Sequence, residues 1–181
     1  MRPLFTIHAG EYLVGSHVER HYKNAHVWVP SRDTGVDLLV SDHRNHRTVS
    51  IQVKFSKDYP QDPSIRRSLR ACGWWTIDRD KLHESPADYW VFVLLGFAAG
   101  TTDFVIIPRR KLEDGLRSIH GSQKTIQCYI WVTKRGRCWE TRGLRHEDEF
   151  RIARGRYRDT KRDLTKWLNE RGWAPVARLN T

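Results

Sequence analysis

Apolar and polar residues alternate along residues 48–55. Val49, Ile51, Val53 and Phe55 share one face, and Thr48, Ser50, Gln52 and Lys54 share the other. This period of two predicts a half-buried strand. Residues 36–41 predict a second strand, an apolar run interrupted by Asp37. The polar segment DHRNHR separates the two and reads as a hairpin loop. Residues 26–29 predict a short strand ended by Pro30. Ahead of it, residues 9–22 predict a helix. At roughly 100° per residue, Glu11, Val14, Gly15, Val18 and Tyr22 fall on one stripe, opposite Ser16, Arg20 and Lys23.

Further along, residues 64–75 predict a basic helix with Ile65, Leu69 and Cys72 on one side. The run DYWVFVLL is continuously apolar and predicts a strand covered on both faces. DFVIIP and TIQCYIWV predict two more strands. Between them Pro108 opens a helix with Leu112, Leu116 and Ile119 at helical spacing. Residues 159–171 predict a basic C-terminal helix, an appendage stopped by Gly172. Helices mixed with strands imply an α/β (α+β) fold: one domain over residues 1–181, with a central mixed β-sheet flanked by helices.

Composition narrows the partners. Lys and Arg total 32 against 21 Asp and Glu, a formal charge of +11. Such an excess favours a polyanion, nucleic acid before all, although a membrane surface carries the same sign. The longest apolar run, YWVFVLLGFAA, is too short to span a bilayer, so no membrane partner is expected. The N-terminal residues lack the apolar segment of a signal peptide, and a cytoplasmic location is expected. The cysteines are three, Cys72, Cys128 and Cys138, without a CxxC pair, which speaks against a disulfide framework or a zinc ribbon.

Two features carry candidate chemistry. Glu11 sits on the helix stripe expected to be buried, where an ionised carboxylate needs a partner or a metal; the alternative is a solvated first-turn residue favoured by the helix dipole. In the hairpin, pairing Asp42 with Arg47 across the loop His43 to His46 sets Asp37 opposite Gln52. Side chains so opposed lie about 5 Å apart on one face. Lys54 follows one repeat later, opposite Gly35, whose missing side chain leaves space. Outward polar alternation on a surface hairpin is the ordinary alternative. Leu39 shares the face of Asp37, however, and implies partial cover.

The segments AGEYLV, GVDLLV and IQVK, in this order, resemble the PD-(D/E)XK nuclease superfamily. Its pattern is a helix Glu, an Asp at the start of a strand, and (D/E)-x-K on the next strand. The resemblance covers mainly residues 8–57. Two departures stand out: Gln52 takes the place of the second acid, and Val36 precedes Asp37 where the pattern has Pro. Both variations are similar to those of some resolvase-like, transposon-associated and homing or restriction-type members. The resemblance implies a restriction-endonuclease-like core and a Mg²⁺-dependent DNA endonuclease, with Mn²⁺ able to substitute. By the same resemblance, Asp37 is the direct anionic ligand and Glu11 binds through water or holds a second ion. The Gln52 amide oxygen and the Val53 carbonyl are neutral oxygen ligands, and Lys54 orients the attacking water and stabilises the phosphorane charge. A homodimer or higher oligomer is expected if both strands of a duplex are cut. The alternatives are a non-catalytic nucleic-acid-binding module on a decayed nuclease fold and an RNA-processing nuclease.

Basic residues near the motif are candidates for phosphate contact: Lys57, Arg66, Arg67, Arg70, Arg109 and Arg110, and further on Lys161, Arg162 and Lys166. Ordinary surface solvation explains them about as well. Trp74 and Trp75 suit either base stacking or core packing. His17 and His21 lie one helical turn apart and read as a solvated pair, because HVERH lacks the order of the zinc motif HExxH.

Overall fold

The chain order is α1 (Ala9–His21), β1 (Ala25–Trp28), β2 (Leu38–Asp42), β3 (Thr48–Ser56), α2 (Pro63–Arg66), β4 (Leu69–Asp78), α3 (Arg79–Glu84), β5 (Tyr89–Leu95), β6 (Thr102–Pro108), α4 (Arg109–His120), β7 (Thr125–Thr133), β8 (Cys138–Glu140), α5 (His146–Ala153) and α6 (Ala174–Ala177). This computed structural model describes residues 8–32, 34–56 and 62–181. The fold is mixed α+β. One sheet is mixed, in the order β1-β2-β3-β5-β6, and the other is antiparallel, in the order β4-β7-β8. In the mixed sheet β3 runs parallel to β5, and its other pairs are antiparallel.

The continuous apolar run of β5 is explained by its position. Trp90, Phe92 and Leu94 point into the space between the two sheets, where they meet Trp75 and Ile77 of β4 and Leu112 and Leu116 of α4. Val91 and Val93 point to the opposite face and pack with Val14 and Val18 of α1 and with Trp173 and Val176 near the C-terminus. The mixed sheet is thus covered on both faces. One cover is largely a second sheet rather than helices alone.

Two sequence expectations are corrected. Residues 64–75 are not one helix: α2 ends at Arg66 and β4 begins at Leu69. The competing signal is the alternation of Ala71, Trp75 and Ile77, which face the inter-sheet core. Residues 159–171 form no basic helix and no appendage. Leu164 donates its N–H to the Cys138 carbonyl (2.9 Å), and Asp163 bridges to Trp139, so this segment runs along β8. It then makes only short 3₁₀ turns, Thr165–Trp167 and Asn169–Arg171. Leu164, Trp167 and Leu168 pack against the inter-sheet core.

Of the pair read as solvated, His21 is exposed and His17 is half-buried. Its ring stacks on His21 (4.2 Å between centroids) and on Trp173 (5.0 Å). Among the described residues no helix is long and apolar enough to cross a membrane.

Candidate active site

The hairpin forms in the register expected from its loop. Leu38 pairs with Ile51, Leu39 with Ser50 and Ser41 with Thr48. The turn is locked by Asp42, whose carboxylate accepts from the His46 N–H (2.9 Å) and from Arg47 Nε (3.1 Å). Partial burial opposes ionisation there. The His46 amide and the Arg47 guanidinium outweigh it and hold the Asp42 carboxyl at about 2. Asn45 supplies the left-handed turn conformation, at φ 57°.

At the other end of the hairpin the ladder stops, and there the polar groups gather. The last paired residues are Leu38 and Ile51. Asp37 N–H still donates to the Ile51 carbonyl (2.9 Å). One step later its side chain replaces a strand partner. Asp37 Oδ2 accepts the Val53 backbone N–H (2.6 Å) and Gln52 Nε2 (2.5 Å). Backbone groups of Ile51 and Val53 point to the same side of β3, so the Val53 carbonyl faces the opening where β2 is absent. Beyond this point β3 is held by β5, with Gln52 beside Trp90 and Lys54 beside Phe92.

Glu11 arrives from α1, where it is the third helical residue. Gly10 lets the helix approach β3 closely. A Cβ on Gly10 would lie 2.6 Å from the Phe55 Cβ, so only glycine fits there without displacement. The Glu11 carboxylate accepts the His8 N–H (3.2 Å), closing the first turn. Glu11 is a first-turn residue, half-buried where it lines the cleft. Lys54 lies with its Nζ 4.8 Å from the centre of the Trp90 ring, a cation–π contact that fixes the ammonium against the cleft wall. Gly35, at φ +82°, turns the chain beside Pro86, where a Cβ would sit 3.2 Å from the proline ring.

Glu11, Asp37, Gln52, Val53 and Lys54 all line one open cleft of about 720 Å³. Its remaining walls include Lys81 and Glu84 of α3, Ser85, Pro86 and Trp90, none of which the sequence motif points to. The tertiary placement of α3 brings in Lys81 and Glu84, and the pairing of β5 with β3 brings in Trp90.

As a cation site the motif residues offer oxygen donors: the Glu11 and Asp37 carboxylates, the Gln52 amide and the Val53 main-chain carbonyl. That set suits a hard ion such as Mg²⁺ or Mn²⁺ rather than a zinc ion. Among the described residues no three or more His, Cys, Asp or Glu cluster as a metal-binding group. Gln52 contributes a neutral amide there.

The other basic candidates divide. Arg70 forms a two-pronged ion pair with buried Asp103 (2.5 and 2.8 Å). Arg109 donates to Glu113 (3.2 Å) and to the His83 carbonyl (2.8 Å). Both serve the fold. Arg66 stacks on Phe97 (3.8 Å), and Arg67 is exposed with its Nε on the Pro63 carbonyl. Arg110 is exposed beside a second recess that adjoins the cleft through Ser85 and Pro86. Lys57 lies outside the described residues. Trp75 is core and Trp74 is exposed.

No protein family, curated sequence or solved structure matches this chain.

Proposed function

We propose that this chain is a Mg²⁺-dependent DNA endonuclease that hydrolyses phosphodiester bonds. The observation that carries the proposal is the Asp37 carboxylate, pinned by Gln52 and the Val53 amide, in one cleft with Glu11 and Lys54. Asp37, with the Gln52 and Val53 oxygens, would hold the cation, and Glu11 would bind it through water or hold a second one. A divalent cation there supplies charge to polarise the phosphate and to acidify a water. The chain's own residues do the rest. The Gln52 amide fixes the orientation of the Asp37 carboxylate. Lys54, braced on Trp90, carries a positive charge to the position of the attacking water and the developing phosphorane. Lys81, which also lines the cleft, adds a second cation for the strand. The +11 charge favours a polyanionic substrate.

A second reading has its own observation. Gln52 is neutral, and no three-acid cluster is found among the described residues, so the site could bind nucleic acid without cutting it. RNA as the substrate leaves the same residues in the same roles.

One experiment separates these readings. The purified protein is incubated with supercoiled, linear and branched DNA and with RNA, in Mg²⁺, Mn²⁺ or EDTA. The nuclease reading expects DNA cleavage that EDTA abolishes; binding without cleavage in every metal would overturn it. Cutting both strands of a duplex calls for a homodimer or higher oligomer, and sedimentation on DNA tests that.

A further inference from the structure

Trp74 is 42% exposed, although its neighbours Gly73 and Trp75 are buried. Alternation along β4 is the cause. Ala71, Trp75 and Ile77 enter the inter-sheet core, and Trp74 and Thr76 take the outer face. Helix α5 and its flanks cover that face at one end, over Cys72, Trp131 and Trp139. At the other end the register sets Trp74 against Tyr129 and Thr76 against Gln127. The Trp74 and Tyr129 rings meet edge to face, 6.4 Å apart at 82°. The Arg142 guanidinium lies over the Tyr129 ring at 5.2 Å. The outcome is an exposed Trp74 ring set edge-on beside the half-buried Tyr129 ring and its Arg142 cation, with a hydroxyl and an amide nearby.

One main-chain contact ties this platform to the strand that lines the cleft. Trp74 N–H donates to Ser56 Oγ (3.4 Å), and Ser56 ends β3 two residues after Lys54. We propose that the Trp74–Tyr129 face stacks an unpaired nucleobase of the strand held at the cleft. Stacking suits these rings because every base offers a π-face, and Arg142 adds charge for the phosphates. Thr76 and Gln127 can hydrogen-bond a base edge. As part of an enzyme, this site rests on the nuclease reading; as a binding site, it does not. It implies that the preferred substrate has single-stranded or frayed DNA next to the cut.

The test measures binding in EDTA, so it does not depend on cleavage. The probe is a short single-stranded oligonucleotide with 2-aminopurine, compared with an abasic strand of equal length and charge. Wild type is expected to quench 2-aminopurine and to bind the abasic strand roughly tenfold or more weakly, the usual loss for a stacked base. Trp74→Ala should lose the quenching and the preference, and Trp74→Phe should keep part of both. Equal affinity for the two strands by wild type would overturn the proposal, as would an unchanged Trp74→Ala protein. A surface that docks another protein predicts those negative results. The two readings fail separately. Base-dependent binding by a protein that cuts nothing in Mg²⁺ removes the nuclease reading alone. Cutting without base dependence removes the platform alone.

Discussion

Gln52 Nε2 donates to Asp37 Oδ2 at 2.5 Å, across the point where β2 and β3 cease to pair. An amide at this position keeps the carboxylate oriented without adding charge. The second acid of the resembling superfamily would place two anions in contact, and like charges so close resist ionising together unless a cation joins them. Gln52→Glu should therefore make stability depend on metal. In EDTA the variant is expected to melt a few degrees below wild type, about 2–4 °C for each 1 kcal/mol in a chain of this size. Mg²⁺ should restore it more than it raises wild type, and cleavage should persist at lower Mg²⁺. Thermal melts with and without Mg²⁺ check this; identical shifts for both proteins would sink the idea.

Asp37→Ala removes the acceptor of both Gln52 and the Val53 amide. The cleft is open, so water replaces it and the structural cost stays near 1 kcal/mol. Cleavage should vanish, while DNA binding persists or strengthens with an anion gone from the phosphate path. Plasmid cleavage by a variant shown to be folded decides the point. Wild-type activity in that protein would remove Asp37 from the site.

Lys54→Ala should cost on the order of a hundredfold or more in cleavage rate, with a smaller loss of affinity. Lys54→Arg should not rescue it, because a planar guanidinium over Trp90 carries its charge differently from a compact ammonium. Single-turnover rates at saturating protein separate the two effects.

The hairpin was legible because its turn chemistry is local. Asp42 and Arg47 fix the register, and register fixes which side chains share a face. Glu11 was legible only as a carboxylate in an odd place, and the role of Gly10 in bringing it to β3 had no sequence signal. The misread segment at 64–75 offered two periods at once. Ile65, Leu69 and Cys72 fit a helix, while Ala71, Trp75 and Ile77 fit a strand. Pairing along β7 decided for the strand. Residues 159–171 failed for a related reason: charged residues at helical spacing carry no preference once Leu164 and Asp163 find partners on β8. Lys81, Glu84 and Trp90 reach the cleft through tertiary packing, which no local pattern encodes.

The basic residues should separate in a salt titration. Arg110 is exposed beside the recess that adjoins the cleft. Arg110→Ala is expected to weaken DNA binding and to lower the slope of log affinity against log salt by about one. Arg70→Ala should leave that slope alone and destabilise the fold by roughly 1–3 kcal/mol, since buried Asp103 loses its guanidinium and, among the described residues, keeps the Asn169 amide (2.7 Å). Binding isotherms at several salt concentrations, with melts of both variants, check the division. A slope change in Arg70→Ala without loss of stability would reverse the assignment.

Acid should weaken the packing of α1 against the C-terminal segment, and His17 is the residue to blame. Its ring lies between His21 and Trp173 and also contacts Phe104 (4.9 Å). Burial above all, with the nearby charges of His21 and Arg20 acting in the same direction, lowers its pKa from 6.5 to about 4. The folded state therefore keeps His17 neutral while the unfolded chain takes up a proton below pH 6.5. The contribution is fully present above that pH and is lost progressively as pH falls from 6.5 towards 4. His17→Phe preserves the stack on Trp173 and cannot titrate. Its melting temperature should fall less than that of wild type between pH 7 and pH 5, when both are measured at constant ionic strength. Parallel decline of the two proteins would show that His17 does not carry the acid sensitivity.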